Sequence, residues 1–203
     1  MKNKSLQIQF NGILENHNFA THRYLLAISG GVDSMVLLDL FRQTSANFQV
    51  AHCNFQLRAE DANGDEEFVR NYCGLHNIPF HSVRFDVAAY QKTGNYSVEM
   101  ACRNLRYDWF AEIQKINQLD FLVTAHHLDD NLETFLINLS RGTGLKGLVG
   151  MQIDNGRILR PLLEFTKNNL LEYAENNTLA WREDYTNATD DYIRNKIRHH
   201  ISP

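Results

Sequence analysis

The feature that most constrains this chain is a Gly-Gly turn between an apolar run and a helical apolar pattern. Residues 24–29 are typical of a buried strand, and the apolar positions at 35–40 indicate the inner face of a helix. Between them lies the hexapeptide Ser29, Gly30, Gly31, Val32, Asp33 and Ser34. Glycines allow a tight turn and a close approach to a ligand, and a helix that begins there presents free N–H groups to a phosphate. Because the hydroxyls of Ser29 and Ser34 can also bind phosphate oxygens, the sequence predicts a phosphate site at 29–34.

This hexapeptide lacks the lysine of a Walker A loop, G-x-x-x-x-G-K-S/T, and places Asp33 in the first helical turn instead. An aspartate at that position could merely complement the helix dipole. Ser-Gly-Gly-Val-Asp-Ser nevertheless resembles the PP-loop of the ATP pyrophosphatases. That resemblance implies cleavage of ATP between the α- and β-phosphates and transfer of AMP to a substrate oxygen.

Composition is that of an ordinary globular protein. The chain has 203 residues, enough for one substantial α/β domain, with 43% hydrophobic and 22% charged residues. No stretch approaches the roughly 20 apolar residues of a transmembrane helix, and no signal peptide is visible. Three cysteines without a C-x-x-C pair favour a cytoplasmic location, with no membrane partner. The net charge of −4 argues against a whole-surface nucleic-acid binder, but it leaves room for a local basic patch.

The order of the predicted elements favours an α/β fold, doubly wound, with a mainly parallel sheet and flanking helices. Four strands are predicted, at 24–29, 48–53, 80–87 and 121–125. Helices are predicted at 3–16, 32–43, 68–75, 97–117 and 131–140, with a polar loop at 63–64. The inner face of helix 97–117 is expected to carry Met100, Leu105, Trp109, Phe110, Ile113 and Ile116. Alternating strands and helices imply βαβ units, so the ligand belongs at the carboxyl ends of the strands.

Polar residues follow the predicted strands, as this rule requires. The second strand is followed by His52, Asn54, Gln56 and Arg58, and the fourth by Thr124, His126, His127, Asp129, Asp130 and Glu133. Oxygen ligands from Asp33 and Asp130 suit magnesium beside ATP phosphates. Zinc is an alternative, although H-H-x-D-D is not an established zinc spacing. A loop whose acids cap the next helix would be a purely structural explanation.

Residues 142–147 match G-x-G-x-x-G, but they follow a predicted amphipathic helix rather than a strand. The context of a dinucleotide site is therefore absent. We expect a flexible, substrate-facing loop here, in which Arg141 and Lys146 provide cations for phosphate or RNA.

Eight motifs together resemble the tRNA(Ile)-lysidine synthetase family. They are S-G-G-V-D-S (29–34), H-x-N-x-x-L-R (52–58), E-x-A-x-R-x-x-R-Y (99–107), T-A-H-H-x-D-D-x-x-E-T (124–134), R-G-T-G-L-x-G-L-x-G-M (141–151), R-P-L (160–162), E-D-x-T-N (183–187) and R-N-x-I-R (194–198). One departure is Asn131, where the family more often has glutamine. Another is the end at Pro203, because the family usually continues into C-terminal tRNA-binding domains.

The resemblance implies a domain organisation. Residues 1–203 would form a single PP-loop catalytic domain without the usual C-terminal tRNA-binding domains. It would have an N-terminal helix at about 1–20, a sheet core at 21–165 and a C-terminal helical appendage at 166–203.

The resemblance also implies an activity. ATP-dependent ligation would join free L-lysine to C2 of the wobble cytidine in the CAU anticodon of tRNA(Ile), through an adenylated tRNA, with release of AMP and pyrophosphate. ATP and Mg²⁺ would be required, and the sequence leaves a homodimer open. Two alternatives are another PP-loop enzyme, such as a tRNA thiolase, and a non-catalytic nucleotide- or RNA-binding module. The C-x-x-C pairs of cluster-dependent thiolases are missing from this sequence.

Roles for individual residues follow from the same resemblance. ATP would bind to residues 29–34 and to His52, while Asp33 and Asp130 would be catalytic and hold magnesium. Asp130 would also contact the substrate lysine, whose carboxylate suits the guanidinium of Arg103 or Arg106. An ordinary helical salt bridge between Glu99 and Arg103 would also explain part of that motif. Contacts to the tRNA or its cytidine are expected from His126, His127, Glu133, Arg141 and Lys146.

Arg194 and Arg198 are predicted to be catalytic. They lie four residues apart and share one face if residues 190–200 are helical, although a solvated helix end is the structural alternative. If either guanidinium reaches the ATP phosphates or the adenylate, lysine cannot reproduce its planar fork. We therefore expect Arg→Lys as well as Arg→Ala to lower turnover of a full-length protein for at least one of them. Unchanged turnover in all four variants would contradict this prediction.

Overall fold

The computed structural model describes residues 2–16, 21–57, 59–144 and 149–183. Its sheet consists of β1 (Arg23–Ala27), β2 (Asn47–Asn54), β3 (Phe80–Arg84), β4 (Phe121–Val123) and β5 (Ile158–Leu159). The strand order is β3-β2-β1-β4-β5, and every neighbouring pair is parallel. The described residues also form α1 (Lys2–Glu15), α2 (Val32–Arg42), α3 (Ala59–Leu75), α4 (Val87–Gln91), α5 (Val98–Asn117), α6 (Leu128–Ser140) and α7 (Lys167–Asn176).

Two cores cover the two faces of this sheet. Tyr24 and Leu26 of β1 face a core that includes α1, α2, α3 and α7. Leu25, which alternates with them, faces a second core that includes Phe110 of α5. The predicted fold class, a doubly wound parallel α/β fold, is confirmed.

The strand order creates one switch point. The chain runs from β1 through α2 to β2, and it returns through α5 to β4 on the other side of β1. The loops that follow β1 and β4 therefore diverge, and such a divergence leaves a crevice at the carboxyl ends of the strands.

Several predicted boundaries are wrong for local reasons. The third strand ends at Arg84 rather than at 87, because Asp86 caps α4 and accepts a hydrogen bond from the N–H of Ala89. Helix α6 begins at Leu128, three residues before its predicted start, so Asp130 lies in its first turn. β5 is absent from the predicted elements, since two residues carry too little alternation to be recognised.

The predicted polar loop at Asn63-Gly64 is also wrong, because both residues lie inside α3. The glycine is explained by packing. A Cβ added to Gly64 would lie 3.0 Å from Nη2 of Arg182, so the guanidinium occupies the space of a side chain.

The residues predicted to form the inner face of α5 are buried or half-buried in the middle of the helix but exposed near its ends. Phe110 is buried, whereas Met100 and Ile116 are 52% and 67% exposed. The middle of α5 packs on the sheet, and its amino-terminal part packs through Ala101 and Cys102 against Val87 of α4. Periodicity marks a face of the helix, but it does not show how far the neighbouring elements cover that face.

No helix among the described residues is long and apolar enough to cross a membrane.

A buried carboxylate joins α3 to the edge of the sheet. Glu66 is 4% exposed. Burial alone would raise the pKa of Glu66, but hydrogen bonds outweigh it and lower the pKa to about 2; the donors are Asn54, Arg84, Ser82 and Arg70. The charged form is therefore stabilised in the folded protein.

We predict that Glu66→Gln lowers the free energy of unfolding at pH 7 by about 2–3 kcal/mol. The folded pKa lies below the ordinary 4.5, so this stabilisation is present above pH 4.5 and is lost as the pH falls towards 2. Chemical denaturation at several pH values should therefore show the gap between variant and wild type closing in acid. Glu67→Gln, at the exposed neighbouring position, is the control; a gap independent of pH would contradict the prediction.

Candidate active site

A cavity of about 580 Å³ lies at the carboxyl ends of β1, β2 and β4. The turn that follows β1 forms one wall, and residues 124–126, which follow β4, form another. Side chains that line the cavity include Ser29, Asp33, Ser34, His52, Asn54, Arg106, Tyr107, Thr124, His126, Asp130 and Arg182. The structure thus brings the predicted residues His52, Arg106, His126 and Asp130 to the turn that contains Asp33.

The two glycines of the turn have different roles. Gly30 has a φ of +100°, a conformation that other L-residues rarely adopt. Gly31 has a φ of −71°, and a Cβ added there would meet the Ser29 Oγ at 3.6 Å, an ordinary contact. Gly30 is therefore required by the backbone, whereas the absent side chain of Gly31 leaves room beside the cavity.

The turn presents the amino end of α2 to the cavity. Gly31 is the N-cap of α2, and no side chain caps the helix. The Ser34 hydroxyl donates to the carbonyl of Gly31 at 2.8 Å and accepts from the N–H of Gly30 at 3.1 Å. Uncapped N–H groups at a helix start suit a phosphate. The hydroxyl of Ser34 here organises the turn itself.

Three carboxylates surround one buried histidine. Nε2 of His127 lies 3.7 Å from Oδ2 of Asp33 and 3.5 Å from Oδ2 of Asp130. Nδ1 of the same ring lies 3.3 Å from Oδ2 of Asp129. The N–H of His127 also donates to Asp130 Oδ2 at 3.0 Å. The ring of His127 thus lies between the helix after β1 and the first turn of the helix after β4.

Lys167, at the start of α7, pairs with the acid of the turn. Its Nζ donates to Oδ1 and Oδ2 of Asp33 at 2.6 and 2.8 Å. Its backbone N–H donates to Oδ2 of Asp129 at 2.7 Å. No pattern around Lys167 in the sequence marks it as a site residue, because its partner lies 134 positions away.

The other two predicted histidines line the cavity. Nδ1 of His52 lies 2.8 Å from the carbonyl of Ile28, which can only accept, so Nδ1 carries the proton and Nε2 is an acceptor. Burial lowers the pKa of His52 and outweighs the opposite effect of that hydrogen bond, so the ring is neutral at pH 7. Nδ1 of His126 lies 2.8 Å from Oγ1 of Thr124. The two adjacent histidines therefore occupy different environments. His126 borders the cavity, whereas His127 is buried and does not line it.

The structure distinguishes the two predicted lysine-binding arginines. Arg106 lines the cavity, and its guanidinium stacks over the Phe55 ring at 5.2 Å. Arg103 is exposed, does not line the cavity, and lies over the Tyr107 ring at 4.9 Å. Arg106 is therefore the better placed of the pair for an anionic substrate group.

Arg182 is a cavity residue that the sequence analysis did not identify. Its backbone N–H donates to the carbonyl of Gly30 at 3.0 Å, and its Nε donates to Asp65. The segment that ends the described chain is thus fixed to the turn after β1. In the sequence, its role is indicated only by its position directly before the E-D-x-T-N motif (183–187).

Two further predicted residues lie away from the cavity lining, and others fall outside the described residues. Glu133 is completely buried and is not among the residues that line the cavity. Arg141 is exposed at the carboxyl end of α6. Lys146, Arg194 and Arg198 lie outside the described residues, as does Arg58.

The zinc alternative gains no support from the residues present. Within the described ranges, no group of three or more His, Cys, Asp or Glu side chains is arranged to hold a metal ion. Cys53 borders the cavity, but burial raises the pKa of its thiol to about 12.

The comparisons with known proteins define the class. A family model described as a PP-loop domain matches residues 2–203. The chain belongs to this family, whose domains bind ATP.

Within this class, the chain is similar to curated proteins named tRNA(Ile)-lysidine synthase. The relative from Chlorobaculum tepidum is 44% identical over 183 residues, which are 88% of this chain and 55% of that protein. The relative from Bacteroides thetaiotaomicron is 41% identical over 181 residues, which are 89% of this chain and 42% of that protein. The resemblance predicted from the motifs is confirmed, and the chain spans about half the length of the curated relatives it matches.

Solved structures support the fold alone. A U34-tRNA thiolase from Methanococcus maripaludis with its 4Fe-4S cluster gives a TM-score of 0.79 at 17% identity, covering 97% of this chain and 71% of that one. An NH3-dependent NAD synthetase from Campylobacter jejuni gives 0.61 at 14% identity, covering 88% and 75%.

We predict that Gly30→Ala and Gly31→Ala separate stability from binding. Gly30→Ala forces an alanine to a φ of +100° and should lower the free energy of unfolding by about 1–3 kcal/mol. Gly31→Ala should leave the stability within about 0.5 kcal/mol and weaken ATP binding roughly tenfold or more, because its methyl group enters the phosphate site. Denaturation and ATP titration of both variants check this, and equal effects of the two on stability would contradict it.

Proposed function

We propose that this chain is the ATP-using, catalytic part of a tRNA(Ile)-lysidine synthetase. It would join free L-lysine to C2 of the wobble cytidine in the CAU anticodon of tRNA(Ile), as a ligase that forms a carbon–nitrogen bond in the cytoplasm. One observation carries the proposal: the cavity has an uncapped helix start on one side and Asp130, His126 and Arg106 on the other. The names of the curated relatives agree with it.

The first step would be adenylation. The cytidine O2 bonds to the α-phosphorus of ATP, and the bond from that phosphorus to the β-phosphate oxygen breaks. Such chemistry requires alignment and charge neutralisation more than covalent help. Residues 29–34 would hold the phosphates. His52 presents Nε2 as an acceptor at the cavity wall, where it suits an amino group of the nucleotide.

We propose that magnesium binds to two carboxylates of this site together with oxygens of ATP. Asp33 and Asp130 offer hard carboxylate oxygens, and both approach Nε2 of His127, at 3.7 and 3.5 Å. These two residues would hold Mg²⁺, which when bound offsets the charge of the ATP phosphates.

The second step would use lysine. Its ε-amine attacks C2 of the adenylated cytidine, AMP leaves with the O2 oxygen, and the amine loses a proton. Arg106 would hold the α-carboxylate through its guanidinium fork, and Asp130 would hold an ammonium group. Arg103, three residues earlier in the same helix, is the other candidate for this contact.

The tRNA would approach the open side of the cavity. His126 borders that cavity, and Arg141 is exposed at the end of α6. Lys146, Arg194 and Arg198 are proposed to contribute further cations. The relatives are about twice as long as this chain, so we propose that the tRNA body binds largely to segments beyond the domain.

A tRNA thiolase is the alternative within the same fold. The thiol of Cys53 borders the cavity, but burial raises its pKa to about 12, which disfavours the reactive thiolate at neutral pH. A non-catalytic nucleotide-binding module would not need Asp130 and Arg106 at the same cavity.

Pyrophosphate release, measured with tRNA(Ile) and with individual amino acids, tests the function. We expect release of pyrophosphate to depend on the tRNA, and transfer to the tRNA to depend on lysine. Transfer of sulfur, or nucleotide binding without any turnover, would favour one of the alternatives.

We predict that Asp33→Asn and Asp130→Asn each lower the rate of adenylation by ~10²–10³ and leave the fold intact. Both carboxylates border the cavity, and the substitutions remove charge with little change of volume. The rate of pyrophosphate release is the measurement, with Asp154→Asn, away from the cavity lining, as the control. A wild-type rate in either variant would remove that residue from the mechanism.

A further inference from the structure

The turn after β1 contains no lysine, yet the folded chain brings one to it. The Nζ of Lys167 contacts both carboxylate oxygens of Asp33, at 2.6 and 2.8 Å, from a helix 134 positions further along the chain. Asp33 is the second residue of α2 and lines the cavity. Lys167 itself is not among the lining residues, and it reaches the first turn of α2 through its contact with Asp33. The chain belongs to the PP-loop family, and the turn after β1 carries the motif that resembles the PP-loop. The contact therefore brings a cation to the carboxylate of the proposed phosphate site.

A purely structural role explains this contact poorly. The side chains of Lys167 and Asp33 are 39% and 28% exposed, and an ion pair this exposed adds little to stability. Helix α7 is attached by other contacts. Its Leu170 is completely buried, and the Tyr173 hydroxyl donates to Asp39 of α2 at 2.9 Å.

The ammonium of a lysine suits a second role. It is a compact charge with three donors on a flexible stem, and it can exchange one oxygen partner for another nearby. A polyphosphate that binds to the start of α2 would offer it more negative charge than one carboxylate does. The backbone N–H of Lys167, which donates to Asp129, would keep the residue in place while its side chain moves.

We propose that Lys167 supplies from α7 the lysine that the PP-loop lacks, and that it binds the β- and γ-phosphates of ATP and the pyrophosphate that leaves. This inference rests on the proposed function for its reaction, but its binding test requires only the nucleotide site. Before ATP binds, Nζ rests on Asp33; with ATP bound, it contacts phosphate and releases the Asp33 carboxylate.

In the adenylation step, Lys167 would stabilise negative charge. As the cytidine O2 bonds to the α-phosphorus, the bond from the α-phosphorus to the bridging oxygen breaks. The electron pair leaves with pyrophosphate, and the cytosine ring takes up positive charge. Lys167 keeps its protons throughout and offsets the charge that develops on the leaving group.

The test compares ligands that differ in their phosphates. Dissociation constants of inorganic pyrophosphate, ATP and AMP are measured by calorimetry on the 203-residue chain at one fixed Mg²⁺ concentration. Lys167→Met should weaken the binding of pyrophosphate and ATP by roughly 10–100-fold, and it should change AMP binding by less than about twofold. Lys167→Arg should retain most of the affinity, because it keeps the charge.

Controls keep the outcome interpretable. Lys115→Met, at an exposed position in the last turn of α5, should change none of the three constants. Thermal unfolding of each variant checks the fold, and Lys167→Gln replaces Lys167→Met if the latter unfolds.

Three results would overturn the inference. Unchanged pyrophosphate binding in Lys167→Met would remove Lys167 from the phosphate site. An equal loss of AMP and pyrophosphate binding would assign it a structural role. If the wild-type chain bound none of the three ligands, the nucleotide site itself would be contradicted. Failure of the lysine-dependent reaction, with the pattern of binding as expected, would instead contradict the proposed function and leave the phosphate contact of Lys167 in place.

Discussion

The crossover connections of the sheet leave β1 in opposite directions, and the whole site depends on this arrangement. β2 and β3 lie on one side of β1, and β4 and β5 lie on the other. The chain segments after β1 and β4 therefore separate at the carboxyl edge of the sheet. Asp33 from one segment and His127 from the other still approach to 3.7 Å, and His127 is buried there. A cavity flanked by charged groups results.

A buried polar network fixes the helices that carry these charges. Asp39 of α2 is 2% exposed and accepts hydrogen bonds from Tyr173 of α7, and from Gln43 and Arg42. Burial first, and the charge of Asp39 next, raise the pKa of Tyr173, so its hydroxyl remains a neutral donor. Because an unpaired buried carboxylate would be costly, this network sets the position of α7 against α2. It thereby brings Lys167 to the turn after β1.

Much of the fold and part of the site could be predicted from the sequence. The Gly-Gly turn lies between β1 and α2 as expected, and Asp130 reaches the same cavity from α6. The failures share a cause. Asn63-Gly64 is a typical loop dipeptide, but it lies in α3, where Gly64 leaves space for Arg182. Met100 belongs to the apolar stripe of α5, but it lies near the end of the helix and is 52% exposed. Both depend on which element packs there, and local patterns do not contain that information.

The sequence by itself determined the turn chemistry, the alternation of strands and helices, and hence the edge of the sheet at which a phosphate belongs. These properties follow from backbone conformation and from periodic burial, which act over a few residues. The tertiary structure decided which histidine borders the cavity, which arginine faces it, and that Lys167 pairs with Asp33. Such pairings join residues far apart in the chain, and their geometry is set by the packing of α7 on α2 and of α6 on the sheet edge.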